Sequence, residues 1–78
     1  MIDIADVISI ASDRVLHCAE FVIRLDGDIH FIISYRLKDY VMMRRFNLVQ
    51  LSSCNIDWQV IISDKCDEMM NELIERVS

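Results

Sequence analysis

Four stretches of this chain are apolar at successive positions: Phe21-Val22-Ile23, Phe31-Ile32-Ile33, Tyr40-Val41-Met42-Met43 and Val60-Ile61-Ile62. Successive side chains of a strand point to opposite sides of a sheet, so a sheet built from these stretches is apolar on both faces. An antiparallel sheet with one wet face instead alternates apolar and polar residues. The second face therefore requires cover, from a helix, a twin subunit or a partner. This feature constrains association, not chemistry.

The first segment reads as a helix. Asp3 is placed as an N-cap with Asp6 in the first turn, and Ile4, Val7, Ile8, Ala11 and Val15 follow helical spacing over residues 4–12 and about a turn beyond. Two alternating runs come next, Ala19 to Leu25 and Ile29 to Leu37, separated by Asp26-Gly27-Asp28. Asp-Gly between such runs predicts a hairpin. Keeping the larger apolar sets on one face pairs Leu25 with Ile29 and Phe21 with Ile33, across a three-residue loop. Lys38-Asp39 predicts a second tight connection that pairs Leu37 with Tyr40. Tyr40, Met42, Phe46 and Leu48 then share the inner face with Arg44, a conflict that a bulge or a break near Arg44-Arg45 would relieve.

Ser52-Ser53-Cys54-Asn55 is a turn cluster. Ile56, Trp58, Val60 and Ile62 then alternate with Asp57, Gln59 and Ile61, which predicts a fourth strand. Ser63 or Asp64 is expected to cap the last helix, on which Cys66, Met69, Met70, Leu73, Ile74 and Val77 form one apolar stripe. The expected class is α+β. A single domain over residues 1–78 comprises an N-terminal helix, a three- to four-stranded antiparallel meander and a C-terminal amphipathic helix. Both helices are expected on the inner face with Phe21, Phe31, Phe46 and Trp58. The outer face then shows Val22, Ile32, Met43 and Ile61, framed by Arg24, His30, Arg36 and Arg45, and is expected to form a homodimer. The methionine doublets read as fillers of irregular core gaps.

A chain of 78 residues buries only roughly 60–65% of its unfolded surface, so assembly would help it. An apolar fraction of 54% with 27% charged residues excludes a disordered tail. No uncharged stretch is long enough to span a bilayer, and Asp3 and Asp6 interrupt any signal-peptide pattern. Cys18, Cys54 and Cys66 are odd in number and lack close spacing, which predicts free thiols in a cytoplasm, the host's if the chain is phage-encoded.

The inventory for catalysis is thin. His17 and Cys18 are neighbours that would point apart on a strand, and His30 has no evident partner. The cysteine and histidine spacing does not suit zinc. Gly27 is the only glycine, so no phosphate-cradling loop is expected. The expectation is a non-enzyme without catalytic residues, metal or cofactor.

Charge is unevenly spread: −3 over residues 1–13, +2 over 14–56 and −4 over 57–78. On the last helix Asp64, Glu68 and Glu72 recur every fourth residue, with Asp67, Asn71 and Glu75 alongside. Such a carboxylate ridge fits a partner's basic, nucleic-acid-binding groove, which makes Asp64, Asp67, Glu68, Glu72 and Glu75 the expected partner-binding residues. Arg36, Lys38, Arg44 and Arg45 near Tyr35, Tyr40 and Phe46 are the ingredients of a nucleic-acid stacking platform, against which stands the net charge of −5. The expected function is a protein-binding module, a small stoichiometric inhibitor like the phage antagonists of host defence nucleases (anti-CRISPR proteins among them) or polymerase. The alternatives are a small nucleic-acid-binding module using residues 36–45, or an antitoxin or immunity protein.

Overall fold

The computed structural model describes residues 2–78. Helix α1 spans Ile4–Asp13, and its first turn is closed by the Asp3 side chain, which accepts from the Ala5 amide at 3.0 Å. Strands β1 (Glu20–Asp26), β2 (His30–Leu37) and β3 (Tyr40–Asn47) form an antiparallel meander in the order β1-β2-β3. A short helix α2 (Leu48–Ser53) and a long helix α3 (Trp58–Val77) complete the chain. The fold is α+β, a helix followed by three antiparallel strands and a C-terminal helix.

The expected fourth strand does not form. Residues 58–62 are the first turns of α3, and the helix is capped by Asp57, not by Ser63 or Asp64. The Asp57 carboxylate accepts from the Gln59 amide at 3.0 Å. Trp58, Ile61 and Ile62 carry the apolar stripe of Cys66, Met69, Met70 and Leu73 back by two turns at helical spacing. Trp58 therefore lies on α3 and not on the inner face of a strand. Val60 and Ile56, core residues in the strand reading, are exposed.

The first hairpin differs in register. Leu25 lies opposite Phe31 and Phe21 opposite Tyr35, and Asp26 with His30 closes a loop of Gly27, Asp28 and Ile29. The shift of two residues preserves the faces. It sets Phe21 against Tyr35 with ring centroids 6.1 Å apart, and it gives the first loop position, which needs φ +79°, to the chain's only glycine. The second hairpin pairs Leu37 with Tyr40 as expected.

Arg44 sits opposite Ile33 in an unbroken ladder, without the expected bulge or break. β3 is an edge strand, so the long side chain runs out past the sheet and keeps its guanidinium in water. Leu48 leaves the sheet. Its amide donates to the Ile29 carbonyl at 2.7 Å, while the Asn47 side chain accepts from the amides of Val49 at 2.9 Å and Gln50 at 3.1 Å. The cap turns the start of the expected turn cluster into α2.

Both long helices lie on one side of the sheet: α3 packs on β2 and β3, and α1 on β1 and α3. Between them and the sheet Val7, Ala11, Phe31, Ile33, Tyr35, Ile62, Cys66, Met70 and Leu73 form the core. Met69 and Met70 are buried there, Met42 is half-buried and Met43 is exposed.

Tyr35 joins three elements at the centre of this core. Its hydroxyl donates to the Ala11 carbonyl of α1 at 2.6 Å and lies against the Cys66 thiol of α3. Burial, reinforced by the Cys66 contact, pushes the phenol well above its ordinary range, and burial likewise pushes the thiol up. Both shifts favour the protonated fold, so their contribution is intact below the unfolded-state values of about 8.5 for cysteine and 10 for tyrosine. Above them the unfolded chain ionises first, and stability falls with rising pH. Urea unfolding is expected to give a plateau up to about pH 8 and then a loss approaching 1.4 kcal/mol per pH unit for each group. Tyr35→Phe is expected to flatten the upper part of that decline.

Candidate functional site

The crest of α3 carries a row of carboxylates. Asp64, Asp67, Glu68, Glu72 and Glu75 are all exposed, on the side of the helix away from Ile62, Cys66, Met69 and Leu73. The expected ridge is thus assembled. The Asp57 cap starts the helix well before Asp64, so the whole row lies in the helix interior.

Compensation along the ridge is weak. Arg14 Nε lies 3.5 Å from Asp67 Oδ1 and donates to Ser63 Oγ at 3.0 Å, tying the end of α1 to the flank of α3. Lys65 Nζ lies 3.6 Å from Glu68 Oε2. Both pairs are solvent-exposed, so each contributes at most about 1 kcal/mol. Asp64, Glu72 and Glu75 have no ion-pair partner among the described residues. Arg44 reaches the same side, where it lines a shallow open cleft with Glu68, Asn71, Glu72 and Glu75.

The outer face of the sheet carries no helix. Across the three strands its rows run Glu20–Arg36–Val41, Val22–Ser34–Met43, Arg24–Ile32–Arg45 and Asp26–His30–Asn47. Val22, Ile32 and Met43 share this face with Arg24, Arg36 and Arg45. Ile61 does not: it belongs to α3, on the opposite side of the sheet, where it lines a groove with Phe46, Leu51 and Lys65. The sequence reading missed Val41, which is half exposed, and two ion pairs that lace the face. Arg36 meets Glu20 at 2.8 Å, and Arg45 reaches Asp26 at 2.9 Å across β2. Those pairs depend on register, and no local pattern specifies it.

The ingredients of a stacking platform are not assembled. Tyr35 and Phe46 are buried, leaving Tyr40 as the exposed aromatic ring. Arg36 and Arg45 project from the outer face, while Arg44 lies on the inner one.

His17 and Cys18 occupy a tight turn, not a strand. Both have positive φ, at 56° and 60°, and the turn is closed by the Ala19 amide donating to the Leu16 carbonyl at 3.1 Å. Cys18 and Cys54 are exposed free thiols and Cys66 is a buried one. Among the described residues no cluster of histidine, cysteine and carboxylate side chains is arranged to hold a metal ion, and no helix is long and apolar enough to cross a membrane.

Compared with models of known protein families, with curated proteins and with solved structures, the chain gives no match.

Proposed function

We propose that the chain is a non-enzymatic protein-binding module that acts by occluding a basic surface of its partner. The observation that carries this reading is the row of carboxylates on the crest of α3, exposed on a rigid helix and only partly compensated. A single-signed row of this kind attracts a positively charged groove and speeds encounter with it. A groove lined with lysine and arginine is what nucleases and polymerases present to nucleic acid, so stoichiometric inhibition of such an enzyme, as by a phage-encoded antagonist, is the concrete form of the proposal. The exposed free thiols of Cys18 and Cys54 suit a reducing cytoplasm as the place of action.

Affinity purification from host lysate, with mass spectrometry as the readout, tests it. The wild-type chain is expected to retain one partner with a basic groove. The double variant Glu68→Lys/Glu72→Lys, changed only at exposed positions, is expected to bind that partner at least about tenfold more weakly, with a steep salt dependence for the wild type. Recovery of chaperones alone would refute the reading, as would equal retention of the partner by the double variant.

A further inference from the structure

The outer sheet face is not the only unpartnered feature; the free edge of β1 is another, and the two predict different dimers. β1 pairs with β2 over seven residues without a bulge. It contains neither lysine nor proline, and no backbone hydrogen bond from outside the sheet reaches it among the described residues. Val22 is 56% and Leu25 65% exposed. The opposite edge, β3, carries the adjacent exposed pair Arg44 and Arg45, whereas the exposed charges of β1, Glu20 and Arg24, are of opposite sign. An unpaired edge of seven residues is a template for another strand, and charges of opposite sign along it let two copies meet.

We infer that the occupant is β1 of a second copy, paired antiparallel about a two-fold axis at Val22, so that two three-stranded sheets become one of six strands. The charges select this register. An axis perpendicular to the sheet keeps each side chain on its own face. Centred on Val22 it sets Glu20 opposite Arg24 at both ends, Phe21 opposite Ile23, and Ala19 opposite Leu25. Centred on Ile23 it would oppose Glu20 to Asp26, and centred on Arg24 it would oppose two arginines, both repulsive. Centred on Phe21 it would set Glu20 against Val22 and make no charge pair. Centred on Leu25 it would oppose Arg24 to Asp26, but only residues 24–26 of the strand would pair, and Asp26 already meets Arg45. Arg24 has no ion-pair partner within the described residues of one chain, and the second copy supplies one. Stacking two outer faces flat on each other would instead bury Glu20, Arg24, Asp26, Arg36 and Arg45 twice over, a heavy desolvation. Edge pairing leaves them in water.

Sedimentation equilibrium on the full chain tests the inference. The wild type is expected to dimerise. Arg24→Glu places like charges opposite each other at both ends of the paired strands and is expected to weaken dimerisation by about tenfold or more. The swap Glu20→Arg/Arg24→Glu restores opposite charges and is expected to recover it. Met43→Glu, on the far strand, is expected to leave dimerisation unchanged, and circular dichroism verifies that each variant folds. A wild type that stays monomeric up to about 1 mM would overturn the inference. So would a dimer indifferent to Arg24→Glu, or one abolished by Met43→Glu, which is the signature of face stacking.

Discussion

Phe31→Ala is expected to leave much of the chain unfolded at room temperature. Phe31 is fully buried near the start of β2 and stacks on Phe46 with ring centroids 5.2 Å apart. Removing a buried phenylalanine side chain costs about 3–5 kcal/mol, the lost transfer energy together with the cavity left behind. The stability of a domain of this size is about 4–12 kcal/mol, and a small core places this chain towards the lower end. The loss therefore consumes much or all of the folding free energy. Collapse of the hole is restricted because Phe31 is held between its cross-strand neighbours Leu25 and Phe46, under a layer of helices. Urea unfolding followed by circular dichroism measures the effect, and a loss under about 1 kcal/mol would mean that the ring is not buried as described.

Ile62→Pro is expected to be as damaging, for a different reason. Ile62 is fully buried in the second turn of α3. Proline there removes a helical amide donor and clashes with the preceding turn, at a cost of about 3 kcal/mol or more, beyond the lost packing of the isoleucine. Far-UV circular dichroism is expected to show loss of helix together with the fold. The fourth-strand reading placed the same residue in a sheet. A variant that kept its helical signal and near-native stability would favour that reading over the long helix.

These two positions also show how much of the structure was legible beforehand. Phe31 was readable: Phe31, Ile33 and Tyr35 recur at every second position, flanked by His30, Ser34 and Arg36 with Ile32 as the one apolar exception, and Lys38-Asp39 set the second hairpin's pairing. Residues 56–62 were ambiguous because Trp58, Val60 and Ile62 satisfy a period of two while Trp58, Ile61 and Ile62 satisfy a helical one. The physics that decides between them is partly local, in the Asp57 cap, and partly distant, in the continuity of the stripe to Leu73. The sequence places Leu48 on the third strand and Ser52-Ser53 in a turn cluster, because a helix as short as α2 owes its existence to the Asn47 cap and its packing on the sheet and α3.

The candidate site divides in the same way. The acidic ridge was readable because helical spacing alone places Asp64, Glu68 and Glu72 on one line. The outer face was readable as to parity, hence Val22, Ile32 and Met43, but not as to content. Ile61 was assigned to it through the mistaken strand. The ion pairs Glu20–Arg36 and Asp26–Arg45 were missed because they join residues brought together by register. Which face the helices would choose is set by their packing across the whole sheet, and no segment encodes it alone.

Both long helices cover the same face, which leaves the acidic crest and the outer face of the sheet open to water on opposite sides of the molecule. Methyl NMR with a soluble paramagnetic relaxation agent measures this directly. Val22, Val41 and Met43 are expected to be strongly broadened, while Ile33, Ile62 and Leu73 remain sharp. Protection of Val22, Val41 and Met43 equal to that of Ile33 would mean that a helix or a second copy covers the outer face, and would contradict the account.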